Sequence, residues 1–241
     1  AITVVLALVT AVAVPKDADH SKGRESWSDA FRGVTAAMRV PSFRSVFFMH
    51  LTTYSCFVSI VGLWGGPWLM DVHGADLATR GRVLLLGAGA QICGMLLWGA
   101  TDRFWGSYKK PVIVGGFAAV LMLAVMVLVP LDLALVPVWF ILFGLSVSCT
   151  PILTSHGKSL FPPHLTGRGI TLMNIGTMGG AFLSQSITGV LIDLMGRSAS
   201  GGYSPEGYRL VFGALGVWLL LSLIYYARAI DPHPSRYAFK A

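Results

Sequence analysis

Hydrophobic residues along this chain gather into six long runs that are separated by short polar segments. Each run is long enough for a helix to cross a bilayer, which takes about 20 mostly apolar residues. Strands of a membrane barrel would instead read as short segments of alternating polarity. The pattern therefore predicts an all-α membrane bundle, and the short connections predict antiparallel neighbours. The predicted spans are residues 45–70, 83–100, 111–131, 135–155, 169–195 and 208–227.

Two segments precede the bundle. Residues 1–14 are apolar but too short to span, so we interpret them as the end of a helix that begins before this sequence. Residues 15–44 form the longest polar stretch, which we expect to be a loop containing an amphipathic helix at the membrane surface. A solvated linker is the open alternative. We assign residues 45–229 to the bundle and residues 230–241 to a tail. The apolar positions at helical spacing in the loop are Trp27, Ala30, Phe31, Val34 and Met38.

Composition narrows the class of protein. Hydrophobic residues make up 54% of the 241 residues, and charged residues only 12%. Soluble domains carry about 25% charged residues. A soluble enzyme, a soluble nucleic-acid-binding domain and a disordered chain are therefore excluded in favour of a membrane protein.

The net charge of +7 has a topological explanation. Lys and Arg accumulate on the cytoplasmic side of membrane proteins. If residues 15–44 are cytoplasmic and the six spans alternate, fourteen of the eighteen basic residues lie on that side, together with the C-terminal tail. The charge therefore requires no nucleic-acid partner. The four basic residues expected on the outer side are Arg80, Arg82, Arg197 and Arg209.

Two polar connections carry a family resemblance. Residues 160–169 read LFPPHLTGRG and are followed by Leu172, Asn174, Gly179, Gly180, Gly189 and Asp193. Residues 99–110 read GATDRFWGSYKK and contain an Asp-Arg core. Both stretches, with the six spans and the long basic loop, resemble the C-terminal half of a major facilitator superfamily transporter. The second stretch departs from the family's loop motif, because Trp98 replaces its first glycine and extra residues precede the two lysines.

The resemblance implies a carrier of twelve helices in two halves that rock around a site near the bilayer midplane. This chain would supply helices seven to twelve and the end of helix six. The implied function is secondary transport of a small organic solute by alternating access, in a bacterial inner membrane. The resemblance leans toward permeases for sugar phosphates and organic anions. The implied partners are the substrate, membrane lipid and the missing N-terminal half, with proton or ion coupling left open and no cofactor. The alternative is a transporter-like sensor that binds a ligand without moving it.

The resemblance also implies a cytoplasmic gate made of Asp102, Arg103 and Arg168. Asp102 would hold the positive N-terminal end of a helix in the missing half. That contact would stabilise one rocking state and be released in the other. The alternative is ordinary loop charge that only fixes topology.

The polar residues of the spans provide candidates for a substrate cavity. At 100° per residue, Asn174 and Gln185 lie on one side of the fifth span, with Thr177, Ser184 and Thr188. Such a face lines either a cavity or a helix interface. Gln91 is the strongly polar residue of the second span, and we expect it to face the bundle. The predicted cavity residues are Tyr54, Gln91, Asn174 and Gln185.

The first span has an aromatic face and a candidate hinge. The face contains His50, Tyr54, Phe57, Trp64 and Trp68, and lines either a cavity or the lipid boundary. For His50, a proton relay and a structural role are both open. Near the outer end, Gly65, Gly66 and Pro67 are expected to form a hinge, because proline lacks the amide hydrogen that a helix needs. Close helix packing through Gly62 and Gly66 is the alternative, and both can hold at once.

The sequence offers no pattern for catalysis or metal binding. Gly157-Lys158-Ser159 resembles the end of a phosphate loop, but Ile152 occupies the position of the first glycine. No Asp or Glu lies deep within the six predicted spans. We therefore expect no enzyme activity, no metal and no coupling carboxylate in this half.

Overall fold

The structure is a computed structural model that describes residues 27–198 and 201–233. Within these residues, six helices are long and apolar enough to cross a membrane. Each coincides with one of the predicted runs, so the prediction of six spans is confirmed. They are numbered first to sixth in chain order. The spans are Phe43–His73, Leu77–Gly99, Lys109–Leu128, Val136–Ser159, Pro163–Leu194 and Pro205–Tyr226.

Two helices begin earlier than their hydrophobic runs. The second span begins at Leu77, because the Asp76 side chain accepts the Thr79 amide hydrogen at 2.9 Å and caps the helix. The fifth span begins at Pro163, where the fixed backbone angle of proline suits the first helical turn. A hydropathy pattern does not detect the polar first turns of a helix. Arg168, which precedes the hydrophobic run, therefore lies within the fifth span and not in a loop.

A helix also lies at Trp27–Arg39, inside the segment where an amphipathic helix is expected. Its Phe31 side chain is exposed, and Ala37 is buried. Its position at a membrane surface stays a prediction. The expected helix end at residues 1–14, the loop up to residue 26 and the tail beyond residue 233 lie outside the described residues.

The spans pack in pairs. The first span lies against the fifth, the third against the sixth, and the second against the early part of the fourth. Small residues allow the closest of these approaches. Gly180 meets Leu51 and Ser55, and Gly176 meets Phe47, so the fifth span approaches the first span closely along this line.

The first span changes its helical form part of the way along. It is an α-helix over Phe43–Phe57, a π-helix over Val58–Trp64 and an α-helix again over Gly65–His73. The Gly65 amide donates to the Ile60 carbonyl, five residues back. A π-turn of this kind often marks a functional part of a helix.

The fourth span is interrupted. It consists of helices Val136–Ser146 and Thr150–Ser159, joined by three residues that are not helical. Pro151 lies in the first turn of the second helix, where its missing amide hydrogen costs no hydrogen bond. The fourth span is therefore divided just before this proline. The Ser148 hydroxyl, within the interruption, lies 2.5 Å from the Gly144 carbonyl and 3.0 Å from the Gln91 carbonyl on the second span, so its one proton is shared between these two acceptors.

Candidate functional site

The four predicted cavity residues lie on three different spans. Tyr54 on the first span and Gln91 on the second are half-buried, as is Gln185 on the fifth, and Asn174 is exposed. No hydrogen bond within the described residues joins any two of these side chains. Asn174 and Gln185 lie about 20° apart around their helix, so these two share a face. They are three helical turns apart, about 16 Å along the helix, so the structure places two of the four on one face and brings none of the four into contact.

The hydroxyl residues of the fifth span behave differently from its amides. Ser184 and Ser59 share a hydrogen bond at 2.8 Å, and the Trp64 indole donates to the Thr188 hydroxyl at 2.9 Å. Both bonds join the fifth span to the first, and all four residues are buried. Hydroxyls of this kind form a helix interface, which was one of the two open interpretations. Of the two amides on this polar face, Asn174 is exposed and Gln185 is half-buried.

His50 lies in the same interface and connects three spans. Its side chain is only 4% exposed. The Nδ1 atom is 2.9 Å from the Thr177 hydroxyl on the fifth span, and Nε2 is 3.2 Å from the Thr154 hydroxyl on the fourth. The ring therefore has a polar partner at each nitrogen.

The aromatic face of the first span belongs mainly to the core of the six-span bundle. Phe57, Trp64 and Trp68 are buried, which contradicts both the cavity and the lipid interpretations for these three residues. The Trp68 ring lies 6.4 Å from the ring of Phe140 and 6.1 Å from that of Phe212. Large apolar surfaces are buried because the fourth and sixth spans supply matching rings.

The expected hinge at Gly65, Gly66 and Pro67 is not a break in the helix. The chain stays helical through these residues, and the adjustment takes the form of the π-turns before Gly65. A Cβ atom at Gly65 would lie 2.7 Å from the Ile60 carbonyl oxygen, whereas one at Gly66 would meet nothing closer than 3.8 Å. The π-form therefore requires glycine at position 65. Hinge motion at these residues stays a prediction.

A cluster that the sequence did not predict fixes the C-terminal segment, and we name it the tail clasp. The Asp231 carboxylate accepts the Ser107 hydroxyl at 2.5 Å and the Tyr108 amide at 3.1 Å. Lys109 donates its ammonium hydrogen to the Ala229 carbonyl at 3.0 Å. The tail clasp comprises Ala229–His233 and the residues that bind this segment, namely Ser42, Ser107, Tyr108, Lys109 and His156.

The backbone of Ile230 is held from two sides. Its amide donates to the Ser42 hydroxyl at 2.9 Å, and its carbonyl accepts from Nε2 of His156 at 2.8 Å. Because that nitrogen must donate, the other ring nitrogen of neutral His156 accepts the Tyr226 hydroxyl at 2.8 Å. The tail clasp thus ties the segment after the sixth span to the ends of the first, third and fourth spans.

The predicted gate residues divide between two places. Asp102 lies in the short helix Thr101–Trp105, and its carboxylate is 3.7 Å from Nε2 of His233 in the tail clasp. Arg103 is exposed, and Arg168 is half-buried, with its side chain against Gly33. The gate function of these three residues stays a prediction.

Tyr108 lies beside the acidic groups of this region. Burial raises the pKa of the Tyr108 phenol above its ordinary value, and the nearby carboxylates of Asp102 and Asp231 raise it further. Its ring lies 4.6 Å from that of His233 and 5.7 Å from that of His156. Tyr108 is therefore a neutral residue between two histidines at neutral pH.

A second polar cluster lies at the opposite ends of the spans. The Asp71 carboxylate accepts the Tyr203 amide at 3.0 Å and the Tyr208 hydroxyl at 2.6 Å. The Tyr203 hydroxyl donates to Asp193 at 2.6 Å, and the Arg197 guanidinium lies 4.7 Å from the centre of the Tyr203 ring. These contacts join the first, fifth and sixth spans.

Sequence reasoning missed both clusters because their members are far apart along the chain. One signal was available for the tail clasp. Asp231 is the single acidic residue after Glu206, in a tail that is otherwise basic. An isolated acid among cations suggests a specific partner, although it does not identify Ser107 or the Tyr108 amide.

Comparison with known proteins gives a consistent result. A sequence model of the Major Facilitator Superfamily matches residues 1–185. The fold is similar to the xylose transporter XylE from E. coli in its inward-open conformation, with a TM-score of 0.61 and 13% identity over 87% of this chain and 50% of that one. It is also similar to a peptide transporter POT (E310Q mutant) in complex with alafosfalin, with a TM-score of 0.56 and 18% identity over 87% of this chain and 43% of that one. No curated protein sequence matches the chain significantly. The chain spans about half the length of both transporters.

Proposed function

The chain belongs to the major facilitator superfamily, and from that premise we propose that it forms one half of a secondary transporter for a small organic solute. It is an integral membrane protein, and six helices among its described residues are of spanning length. The missing half would pair with this one, and the two would rock around a site between them to give alternating access.

The observation that carries this proposal is the polar face of the fifth span. Asn174 is exposed in this half and Gln185 is half-buried, although both lie well inside a membrane-spanning helix. Polar groups at membrane depth face a protein partner or a water-filled cavity and avoid lipid. We therefore propose that this face points toward the missing half and lines the solute path. Tyr54 and Gln91 complete the proposed lining.

The interior hydrogen bonds support a half that moves as a unit. Ser59 with Ser184, and Trp64 with Thr188, hold the first and fifth spans together. The tail clasp joins the span ends on one side, and the Asp71 cluster joins them on the other. A body braced at both ends suits rocking, in which the two halves move against each other.

The finer assignments rest on the resemblance and on the charge pattern. We propose a bacterial inner membrane, with residues 15–44 and the C-terminus cytoplasmic, because this arrangement gives the strong basic bias on the cytoplasmic side. Asp102, Arg103 and Arg168 would then lie at a cytoplasmic gate. For the substrate, we propose an organic anion such as a sugar phosphate. The domain assignments, residues 1–14, 15–44, 45–229 and 230–241, belong to the same proposal.

Uptake into sealed proteoliposomes tests the proposal. The full-length protein is supplied with a labelled panel of sugar phosphates, carboxylates and neutral sugars. A transporter accumulates label in proportion to the internal volume and releases it on permeabilisation. Binding that is independent of internal volume would instead identify a sensor and contradict the proposal. For a transported compound, Asn174→Ala and Gln185→Ala should change apparent affinity or rate at matched amounts of protein. Unchanged transport in both variants would remove them from the site.

A further inference from the structure

Two apolar grooves run along the sixth span from the end that carries Arg209. The first groove lies between the third and sixth spans, and the second follows the neighbouring face of the sixth span. Gly213 and Val217 line both grooves, so the two run side by side. The first groove is also lined by Val120, Leu123, Val127, Gly216 and Leu220, and the second by Arg209, Ala214, Trp218 and Leu221.

A pocket of about 240 Å³ lies at the head of the first groove. Phe212 lines both the pocket and the groove, so the two adjoin. The titratable side chains that line this head pocket are His73, at the end of the first span, and Arg209. Arg209 also lines the second groove. It therefore lies where both grooves begin.

The length of the grooves corresponds to one leaflet of a bilayer. Arg209 and Leu221 lie on one continuous helix, and the residues between them extend over about 18 Å of its axis. The hydrocarbon core of a bilayer is about 30 Å thick, so one leaflet contributes about 15 Å. An acyl chain that starts beside Arg209 would therefore reach the middle of the bilayer at the far end of either groove.

The lining of the first groove suits an acyl chain and not a water-filled path. Among the described residues, those that line it are aliphatic, aromatic or glycine. Gly213 keeps its wall open, although glycine is a weak helix former. A Cβ atom at Gly213 would meet only Val127, at 3.7 Å, so the packing of the two helices does not require glycine there. The space at this position is therefore available to a ligand.

Arg209 supplies the charge that this surface presents. The residue is exposed, and no hydrogen bond or ion pair within the described part of the chain involves its guanidinium. Glu206 precedes it on the same helix without pairing with it, and Asp132 follows Leu131 but does not line the head pocket. A cation near the N-terminal end of a helix gains nothing from the helix dipole. An anionic group from outside the chain would therefore complement Arg209.

We propose that Arg209 and the two grooves bind one anionic phospholipid with two acyl chains. The guanidinium donates to the phosphate, which its planar fork of donors matches, and one chain lies in each groove. A lipid accounts for the cation and for both grooves. A free anion would account only for the cation, and an apolar helix of another protein only for the grooves. The inference concerns the membrane-facing surface of the bundle and is independent of the proposed transport function.

Lipid retention by the purified full-length protein tests the site. The protein in detergent is mixed with equal amounts of dioleoyl phosphatidylglycerol and dioleoyl phosphatidylcholine, and the bound lipid is counted by native mass spectrometry. The two lipids have the same chains, but only the first carries a net negative charge. We expect the wild type to retain one phosphatidylglycerol in preference to phosphatidylcholine. Arg209→Gln should weaken phosphatidylglycerol binding about tenfold and abolish the preference, because it removes a charge-assisted contact with the head group.

A second variant tests the grooves while it keeps the charge. The leucine side chain of Gly213→Leu would fill the wall that the two grooves share, so retention of both lipids should be lost. The open space at Gly213 accommodates the new side chain, and thermal unfolding without added lipid checks that the variant is folded. Wild-type retention of phosphatidylglycerol by folded Gly213→Leu would overturn the proposal.

The matched control is Arg82→Gln. Arg82 is an exposed arginine near the beginning of the second span, where its side chain donates to the Thr79 hydroxyl at 3.2 Å, and it does not line either groove. This variant loses the same charge as Arg209→Gln and should retain phosphatidylglycerol as the wild type does. Equal retention by both arginine variants would overturn the proposal, as would displacement of the lipid by an equal concentration of soluble glycerol 3-phosphate.

The position of the bound lipid is measured by cross-linking, which does not depend on any variant. Phosphatidylglycerol with a photoactivatable group on one acyl chain is bound to the wild-type protein and irradiated, and the cross-linked peptides are identified. We expect cross-links within residues 120–127 and 213–221. Cross-links only outside these segments would show that another part of the protein covers the grooves, and would contradict the proposal. Neither measurement involves transport, so a protein that moves no solute would contradict the proposed function and leave the lipid site unaffected.

Discussion

Replacement of two adjacent glycines by alanine tests how tightly the π-segment is built. A Cβ atom at Gly65 would lie 2.7 Å from the Ile60 carbonyl oxygen, 2.8 Å from Leu84 and 3.2 Å from Phe140. A Cβ atom at Gly66 would meet only Leu84, at 3.8 Å. The two positions are neighbours in the same helix, so each is a control for the other.

The expected free energies follow from two opposing effects. Alanine is favoured over glycine within a helix by about 1 kcal/mol, and this gain applies at both positions. At Gly65 the added methyl group overpacks the segment, which costs about 1–3 kcal/mol. The Ile60 oxygen cannot retreat freely, because it accepts the Gly65 amide hydrogen. We expect Gly66→Ala to stabilise the protein and Gly65→Ala to be less stable than Gly66→Ala by about 1–3 kcal/mol.

The assay is unfolding of the purified full-length protein in mixed detergent micelles, followed by tryptophan fluorescence and repeated for each variant. The free energy of unfolding is compared between the two variants and the wild type at equal protein concentration. Equal stabilities for Gly65→Ala and Gly66→Ala would show that the close contact with the Ile60 carbonyl does not constrain the helix, and would refute the reasoning.

Three further predictions concern the tail clasp and the interface between the first and fifth spans. Asp231→Ala leaves the Ser107 hydroxyl and the Tyr108 amide without an acceptor, so it should lower the free energy of unfolding by about 2 kcal/mol, and no loss would contradict the clasp. A double-mutant cycle of Trp64→Phe and Thr188→Val should give a coupling of about 1 kcal/mol, and additive effects would show that their bond contributes nothing. Because the folded-state pKa of Tyr108 is raised, its contribution to stability is complete below its ordinary value of 10.0 and is lost as the pH rises toward the folded value. Thermal unfolding between pH 8 and 11 should show this loss, and Tyr108→Phe should reduce it, so an identical pH profile would be contrary to expectation.

The sequence predicted the six spans well because bilayer length and apolar composition almost determine them. The starts at Leu77 and Pro163 were missed because capping groups and proline extend a helix into polar sequence. Helical spacing also placed Asn174 and Gln185 on one face. It could not show that Ser184 and Thr188 are buried in a helix interface while the two amides are not. That difference arises because Ser59 and Trp64 of the first span form hydrogen bonds with Ser184 and Thr188.

The remaining features depend on contacts between distant parts of the chain. The π-form of Val58–Trp64 depends on the close packing of Gly65 beside Leu84 and Phe140. The spacing of residues in the sequence does not reveal this packing. The tail clasp pairs Asp231 with Ser107, across more than half of the chain. Aromatic residues of the first span were assigned to a cavity or to lipid because spacing identifies a face without identifying its neighbour.

The central claim is that the exposed polar face of the fifth span lines a water-filled path between this half and its missing partner. Labelling of single cysteines by a membrane-impermeant, water-soluble thiol reagent tests it most directly. The background is the full-length protein with the exposed Cys93 replaced by serine, since Cys56 and Cys149 are buried. The control is Leu183→Cys, because Leu183 is 51% exposed and lies on the opposite side of the helix from Asn174. We predict rapid labelling of Asn174→Cys and Gln185→Cys and slow labelling of Leu183→Cys. Equally slow labelling at all three positions would contradict the account.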